Sequence, residues 1–336
     1  MVLQSKRFHR AVSIIVCTHN RSSFLCNVLS QLCTQEYPAE LIEILVVDNN
    51  STDNTRQVVE DFALNADIPI RYIFEPRSGV TFTRNRGALE AKHPFLAYLD
   101  DDCTVESSWL AHLLGAFDLH EAVVAVGGHV IPDWGQEEKP NWIIPELLPW
   151  FAATKEFFSD SARLLKNSER IVEGNMAIQK EVIINYGGFV GMEQFGSRSM
   201  AASEVLILLE KIRRHDRRIA FSPKAVAYHY SDKQLRSILM RRVYWQGVSD
   251  ALLDTLIEKK QFLRSIFQTG NKLFAIIFLL LLTAGSYMTG SFHKGFYHLT
   301  RVIWRIGFIL CKTHLVGDWT KIRLLKSEHL NGQTYL

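Results

Sequence analysis

Residues 97–103 read Ala-Tyr-Leu-Asp-Asp-Asp-Cys, so three consecutive carboxylates end an otherwise apolar run. A carboxylate that leaves water must be paired or must hold a metal ion. A small cluster of hard oxygen ligands suits Mg2+ or Mn2+ carrying a phosphorylated substrate. The simpler alternative is an acidic turn after a strand, and a short motif alone does not separate the two. The rest of the chain decides between them.

Four short apolar, β-branched runs around this stretch predict strands, at residues 12–16, 42–47, 70–74 and 95–99. Helical patterns lie between them, at residues 23–33, 55–63 and 83–91. This alternation predicts an α/β fold with a mostly parallel, doubly wound sheet. Ligands of such sheets bind outside the carboxyl ends of the strands. Residues 18–21, Asp48 and residues 100–102 all follow predicted strands, so we expect them to share one crevice.

The two halves of the chain differ strongly in charge. Residues 1–206 hold 17 Lys and Arg against 27 Asp and Glu, and residues 207–336 hold 21 against 8, which gives net charges of −10 and +13. A basic surface of this kind faces an anionic partner, either a membrane or nucleic acid. The chain has no recognisable base-reading or RNA-binding motif, so we expect no nucleic-acid partner.

The cysteines and the first residues bear on the compartment. Five cysteines, an odd number without metal-ligand spacing, predict neither a disulfide framework nor a zinc site, which fits a reducing cytosol. Lys6, Arg7 and Arg10 precede Ala11 without an apolar run, which is unlike a secretory signal. We therefore expect the catalytic part to be cytoplasmic. No Gly-x-Gly-x-x-Gly follows the first predicted strand, which argues against a dehydrogenase.

The later part of the chain predicts a loop and then helices. Residues 132–150, rich in Pro and Trp, predict a long surface loop whose tryptophans we assign to the core. An apolar run over residues 273–283 extends to about Thr289, and a spanning helix needs roughly 20 residues. A buried hydrophobic helix and a helix that enters or lies on a membrane both stay open. Flanking basic residues favour the membrane, namely Lys272, Lys294, Arg301, Arg305 and Lys312.

Several segments, in this order, resemble the family-2 glycosyltransferases, which have the nucleotide-sugar-binding GT-A fold. The resemblance covers about residues 11–230 and rests on residues 12–21, 46–53, Gly79 with 83–87, 99–102, and 173–177 before 187–189. Residues 241–247 also resemble the segment that follows the catalytic domain in bacterial polysaccharide-assembly members. We expect a GT-A catalytic domain at residues 1–230 and a basic, helical, membrane-associated region at residues 231–336.

The resemblance implies which residues hold a nucleoside-diphosphate sugar. Asp48 would accept a hydrogen bond from the ring N–H of the base, unless it only forms an Asx turn or caps a helix. Arg84 would neutralise diphosphate oxygens, unless it is a solvated helix charge. Gly174, Asn175 and the Gly187-Gly188 pair would line the sugar and acceptor cleft, unless they only form turns. The donor-binding set is Thr18, Asn20, Arg21, Asp48, Asn50, Arg84, Asp100, Asp101 and Asn175.

The resemblance also implies a metal site for Mn2+ or Mg2+. Asp100 and Asp102 form the DXD-like pair of the family, with Asp102 the preferred direct ligand and Asp101 pointing away or assisting through water. His229 matches a histidine that the family often has at this point, sometimes as a metal or diphosphate ligand. The alternative for His229 is a structural residue at the end of a strand.

The sequence departs from the family at the expected general base. Members usually carry a Glu-Asp pair opening a helix after the Gly-Gly-Phe element, whereas residues 201–207 here read Ala-Ala-Ser-Glu-Val-Leu-Ile. An ungapped match puts Glu204 at the first acidic position and Val205 at that of the base, and a one-residue shift puts Glu204 at the base. We expect Glu204 to be the base, with Glu193 in reserve.

Together these features predict an inverting glycosyltransferase of polysaccharide biosynthesis. It would transfer a sugar from a nucleoside-diphosphate donor to a glycan or lipid-linked acceptor at the cytoplasmic face of the inner (plasma) membrane. Its attachment would be peripheral or through one short embedded helix. The alternative is a weakly active or inactive donor-binding scaffold subunit of a glycan-assembly complex, which the valine at position 205 motivates.

Overall fold

The computed structural model describes residues 10–135, 138–151, 154, 160–167, 169–191, 204–231, 235–257 and 262–312. For residues 204, 235–238, 252–257, 262–270 and 312 it describes the backbone alone.

The first half of the chain forms parallel strands that alternate with helices. The strands are β1 (Val12–Thr18), β2 (Ile42–Asp48), β3 (Ile70–Phe74) and β4 (Phe95–Asp100). The helices between them are α1 (Ser22–Cys33), α2 (Thr55–Ala63) and α3 (Val80–Glu90). All neighbouring pairs among these four strands are parallel, in the order β3-β2-β1-β4. The predicted strand–helix alternation is confirmed, and each element bound lies within three residues of its prediction.

The sheet then continues with mixed strand directions. The further elements are β5 (Cys103–Val105), α4 (Trp109–Gly115), β6 (Val123–Asp133), β7 (Arg163–Leu164), β8 (Asn175–Gln179), α5 (Lys180–Asn185), α6 (Glu204–Arg214) and β9 (Arg218–Tyr230). β8 runs antiparallel between β4 and β6, β6 and β9 are parallel, and β5 and β7 pair antiparallel with β9. The sheet order is β3-β2-β1-β4-β8-β6-β9-β5.

Both faces of the sheet are covered, which explains why its central strands are apolar throughout. Successive residues of β1 point to opposite faces. Ile14 and Val16 pack in one buried cluster with α1 and α4, while Ile15 packs in the other with residues of α5 and α6. A parallel strand buried on both faces has the continuous Val/Ile pattern that residues 12–16 show.

Three helices follow the sheet, α7 (Leu235–Ile257), α8 (Phe262–Met288) and α9 (Phe292–Lys312). Leu239 and Val243 of α7 and Phe296 of α9 share a buried cluster with the short 3-10 helix Pro145–Phe151. The segment predicted as a surface loop therefore contributes to a core, because its apolar side chains pack under α7 and α9.

α8 has one face on α9 and an opposite face that is apolar and exposed. Leu279 and Thr283 are buried, whereas Phe274, Leu281 and Met288 are 77%, 68% and 88% exposed. Within the described chain, one helix, Asn271–Met288, is long and apolar enough to cross a membrane. Only 11% of that stretch is buried, so the alternative of a buried hydrophobic helix is wrong.

α7 and α9 cross at two glycines. A Cβ at Gly247 would lie 2.0 Å from the carbonyl oxygen of Trp304, and a Cβ at Gly307 would lie 2.2 Å from that of Tyr244. Both contacts are with backbone atoms, so no change of rotamer relieves them. These glycines allow the two helix backbones to approach closely.

Gly307→Ala should therefore push α9 away from α7 and lower the free energy of unfolding by about 1–3 kcal/mol, as overpacking does. Gly285→Ala is the matched control, because a Cβ there meets nothing within 4 Å. We expect that control to be neutral or to stabilise α8 by up to about 1 kcal/mol. Thermal unfolding and limited proteolysis of both variants test this, and equal stabilities would contradict the close crossing.

Candidate active site

The strand register brings the predicted site residues to one edge of the sheet. Thr18 at the end of β1 lies opposite Asp48 at the end of β2, and Cys17 lies opposite Asp100 at the end of β4. Parallel strands that end at the same level leave a crevice at their carboxyl ends. The residues that we expect to share a crevice therefore lie at the same edge of the sheet.

Asp101 and Asp102 form the turn between β4 and β5, and one arginine holds both. The Arg21 guanidinium donates hydrogen bonds to Asp101 Oδ1 at 2.7 Å and to Asp102 Oδ2 at 2.6 Å. Both carboxylates are buried, while the Arg21 side chain is half-exposed. Burial raises the pKa of Asp101 to about 6, although the Arg21 charge opposes the shift. Asp101 thus belongs to an ion pair rather than to the cluster of metal-type ligands described next.

Asp102 faces a histidine that comes from a distant part of the chain. The antiparallel pairing of β5 with β9 sets Cys103 opposite His229, so His229 lies beside Asp102. His229 Nε2 is 3.3 Å from Asp102 Oδ1. This contact lacks hydrogen-bond geometry, and within the described part of the chain Asp102 Oδ1 and His229 Nδ1 are buried polar atoms without a hydrogen-bond partner. Such atoms are costly unless a ligand satisfies them.

The three predicted metal ligands come together in this way. Ligand atoms of Asp100, Asp102 and His229 all lie within 4.8 Å of one another. The two carboxylates are of the type that suits Mg2+ and Mn2+, and the imidazole adds a third ligand. The donor set and the unpartnered oxygen of Asp102 therefore fit a divalent cation of the predicted kind.

Arg84 and Gly174 stand on the other side of Asp100. Arg84 is buried on α3, with Nη2 3.7 Å from Asp100 Oδ1, so the alternative of a solvated helix charge is wrong. A Cβ at Gly174 would lie 2.1 Å from Asp100 Oδ2, so the Asp100 carboxylate occupies the space that a larger residue would fill.

Glu173 is a site residue to which the sequence analysis gave no role. Its carboxyl group faces the Val205 backbone N–H in the first turn of α6, and Arg84 and Asp100 act on its charge. Burial raises the pKa of Glu173. The sequence signal was its place directly before Gly174 and Asn175 in the motif, but nothing local showed that it would meet α6.

The predicted nucleotide-binding residues form a hydrogen-bonded rim at the ends of β1 and β2. Asp48 accepts hydrogen bonds from the Ser51 backbone N–H at 2.9 Å and from the Tyr72 hydroxyl at 2.7 Å. The local turn alternative for Asp48 is therefore present, and donor contact would use its remaining lone pairs. Asn20 is exposed and accepts from the Thr52 backbone N–H at 2.8 Å.

Two further members of this predicted set have distinct surroundings. Asn50 is exposed and, like Asn20, adopts a left-handed backbone conformation, with φ values of 60° and 52°. Asparagine tolerates this conformation better than most residues. The Thr18 hydroxyl is buried beside Asp101, where it acts as a hydrogen-bond donor and opposes the rise in the pKa of that carboxyl.

Asn175 does not line the cleft, contrary to the prediction. Its side chain is fully buried, accepting from Trp109 Nε1 at 2.9 Å and donating to the carbonyl oxygens of His129 at 2.9 Å and Ala225 at 2.8 Å. These bonds satisfy the amide inside the protein and join α4, β6 and β9. The residue is structural.

The base position is described in part. α6 begins at Glu204, where the sequence predicts a helix start, and Val205 is buried in the core. The side chain of Glu204, and Glu193 as a whole, lie outside the described residues. Gly187 and Gly188 have φ values of 80° and 76°, so turn geometry requires glycine there.

Comparison with known proteins gives a consistent family. The sequence profile described as glycosyl transferase family 2 matches residues 13–187, slightly more than half of the chain. The chain is 28% identical over 252 residues to the glucosyl-dolichyl phosphate glucuronosyltransferase of Haloferax volcanii, covering 73% of this chain and 78% of that protein. It is 28% identical over 166 residues to the succinoglycan biosynthesis protein ExoM of Rhizobium meliloti, covering 46% and 53%.

Two solved structures resemble the whole fold. The mannosyltransferase PcManGT of Pyrobaculum calidifontis, in complex with GDP-Man and Mn2+, aligns with a TM-score of 0.54 at 16% identity, over 96% of this chain and 81% of that one. TarS of S. aureus, in complex with UDP, aligns with a TM-score of 0.51 at 15% identity, over 97% and 93%. At these identities the likeness is one of fold, and it confirms the predicted GT-A fold.

The buried hydrogen bonds of Asn175 predict that loss of its side chain destabilises the protein. Asn175→Ala should remove a hydrogen-bond partner from the buried Trp109 N–H and from two buried carbonyl groups, and lower the free energy of unfolding by about 3 kcal/mol. Asn65→Ala is the control, because Asn65 is exposed at the end of α2 and should change stability by less than about 0.5 kcal/mol. Urea unfolding measures both. A small effect at Asn175, together with weakened nucleotide binding, would restore the donor-binding role.

Proposed function

The chain belongs to glycosyl transferase family 2, and from that premise we propose that this glycosyltransferase moves a sugar from a nucleoside-diphosphate donor to a glycan or lipid-linked acceptor with inversion. The observation that carries the proposal is the convergence of Asp100, Asp102 and His229 at the carboxyl edge of the sheet. These residues would hold Mn2+ or Mg2+. When bound, the ion supplies positive charge that stabilises the departing nucleoside diphosphate.

The cationic side chains of the site support binding of a diphosphate. Arg84 is buried beside Asp100, and its planar guanidinium matches phosphate oxygens. Thr18, Asn20, Asp48 and Asn50 would line the nucleoside at the ends of β1 and β2. Arg21 and Asp101 would contribute indirectly, since their ion pair fixes the turn that carries Asp102.

The transfer itself needs a base on the acceptor side. The acceptor hydroxyl oxygen attacks the anomeric carbon, the bond from that carbon to the phosphate oxygen breaks with its electrons going to the leaving group, and the base takes the hydroxyl proton. We assign this proton to Glu204, the first residue of α6. Glu173 would act as a positioning residue, because its carboxyl group faces the Val205 backbone N–H at the start of that helix.

The acceptor class is supported by the names of the relatives. One similar protein is a glucosyl-dolichyl phosphate glucuronosyltransferase, and another is a succinoglycan biosynthesis protein. A lipid-linked or polysaccharide acceptor agrees with a membrane position. The exposed apolar face of α8 and the basic residues of α9 support attachment at the cytoplasmic face of the inner membrane, peripherally or by one embedded helix.

The residue at position 205 supports a second candidate function, that of a donor-binding scaffold subunit. An ungapped match places the base at position 205. The valine at this position has no carboxylate, and its side chain is buried in the core. A subunit that binds the donor and assembles with other enzymes, without turnover, would tolerate that substitution.

The catalytic assignment predicts that Asp102→Ala and Glu204→Gln both abolish release of nucleoside diphosphate. We expect losses of about 100-fold or more for Asp102→Ala, which removes a metal ligand, and about 100- to 10,000-fold for Glu204→Gln. The assay incubates detergent-solubilised protein with UDP-, GDP- and dTDP-sugars, Mn2+ or Mg2+, and an acceptor extract. Asp61→Ala and Glu60→Gln, on the exposed side of α2, are matched controls that should retain activity.

Three outcomes separate the candidate functions. Loss in both site variants with active controls supports the metal and base assignments together. Metal-dependent nucleotide binding without release in any sample, wild type included, favours the scaffold. No nucleotide binding by any sample would contradict a transferase.

The membrane assignment predicts that charge on the exposed face of α8 prevents attachment. Leu281→Asp should strongly reduce flotation with vesicles of phosphatidylcholine and phosphatidylglycerol, because a carboxylate there must enter the apolar region. Leu64→Asp is the control, since Leu64 is 83% exposed on the catalytic part and faces no proposed membrane surface. Equal flotation of the two variants would show that α8 does not contact lipid.

A further inference from the structure

A tyrosine of β3 holds the side chain of Asp48 from the neighbouring strand. The Tyr72 hydroxyl donates a hydrogen bond of 2.7 Å to Asp48 Oδ2, and the Ser51 backbone N–H donates one of 2.9 Å to Asp48 Oδ1. The Ser51 contact comes from the turn that follows β2, whereas Tyr72 comes from a different strand. Because each carboxylate oxygen is held by a different element, rotation of the Asp48 carboxylate breaks at least one of these hydrogen bonds.

The Tyr72 ring is itself fixed by its neighbours. It packs against the buried cluster that contains Ile44 and Val46 of β2. The Arg56 guanidinium of α2 lies over the ring, 5.4 Å from its centroid, which is within the range of a cation–π contact. Strand pairing sets Tyr72 opposite Val46, two residues before Asp48, so the hydroxyl reaches along β2 to the end of that strand.

The two hydrogen bonds leave part of the Asp48 carboxylate open to a ligand. Asp48 is buried, and within the described part of the chain it makes no ion pair. Partial burial and the Asp48 carboxylate raise the pKa of Tyr72, so its hydroxyl stays protonated and donates to that carboxylate. Each carboxylate oxygen has a second lone pair, and an ionised carboxylate accepts hydrogen bonds without donating any. The remaining positions therefore suit N–H donors.

We propose that Tyr72 is a positioning residue that fixes the Asp48 carboxylate for a ring N–H of the nucleobase, and that it thereby sets the base selectivity of the site. The inference rests on the proposed function, which brings a nucleoside to the ends of β1 and β2. Uracil and guanine carry a ring N–H, whereas cytosine and adenine carry a ring acceptor there and a donor on the neighbouring amino group. A fixed carboxylate does not turn to follow that displaced donor, so the site rejects these bases.

The test compares matched nucleotides in matched variants. Calorimetric titration of the full chain in the presence of Mn2+ compares UDP with CDP and GDP with ADP, because each pair shares a ring system and only its first member carries the ring N–H. Tyr72→Phe removes the hydroxyl and keeps the ring. Tyr37→Phe is the control, since the Tyr37 hydroxyl also forms a hydrogen bond, to the Arg10 carbonyl oxygen at 2.9 Å, at the opposite edge of the sheet. Thermal unfolding of each variant measures its stability.

We expect wild type to bind UDP over CDP, or GDP over ADP, by about 10-fold or more, as a hydrogen bond to a charged group does. Tyr72→Phe should reduce that preference by about 5-fold or more, and Tyr37→Phe should leave it unchanged. A hydroxyl with only a structural role would weaken both members of a pair alike. In the Asp48→Asn background, Tyr72→Phe should have no further effect on the preference, because Tyr72 acts through Asp48.

An unchanged preference in folded Tyr72→Phe overturns the role of Tyr72 and leaves the proposed function intact. Equal binding of both members of each pair by wild type overturns it in the same way. If Tyr72→Phe is unfolded in buffer, the same titrations in sucrose, which favours the folded state, decide the question. If wild type binds none of the four nucleotides, the proposed function fails and this inference fails with it.

Discussion

The site is arranged around the mutual repulsion of Asp100, Asp101 and Asp102, three carboxylates that follow one another at the end of β4. Each needs a compensating charge, and the fold supplies it from two arginines. Asp101 and Asp102 share Arg21, and Asp100 faces Arg84. Asp102 Oδ1 has no hydrogen-bond partner among the residues that the structure describes and lies 3.3 Å from His229 Nε2. A divalent cation fits beside this oxygen, because its positive charge would balance the negative charge of the carboxylate.

The sequence predicted the part of this arrangement that depends on local pattern. Short Val/Ile runs bounded by polar residues predict β1, β2 and β4. Parallel pairing then brings the carboxyl ends of these strands together, and this does not depend on which side chains follow the strands. The side-chain partners depend on pairings between distant segments and could not be predicted locally. Asn175 stands in a motif from which we predicted a cleft residue, yet its side-chain amide forms hydrogen bonds to residues of α4, β6 and β9. Likewise, Glu173 meets the start of α6 only after both segments pack against the sheet.

The C-terminal helices are more closely joined to the catalytic part than the change in charge along the chain suggested. Composition places a boundary near residue 230, and we predicted two regions there. Packing crosses that boundary, because Leu239, Val243 and Phe296 complete a buried cluster with Leu147 and Phe151. The helix that remains apolar and exposed is α8, which packs on α9 with one face. An exposed apolar surface and the packing against the catalytic part therefore belong to the same three helices.

Under the proposed function, the charges at the site couple the binding of the metal ion to the binding of the donor. Among the described residues, the four carboxylates of Asp100–Asp102 and Glu173 lie near the two guanidinium groups of Arg21 and Arg84. Counted at formal charges, these groups carry two negative charges, which disfavours a diphosphate. A divalent cation held by Asp100, Asp102 and His229 would cancel both charges. By linkage, the donor must then raise the affinity for the cation by the same factor as the cation raises the affinity for the donor.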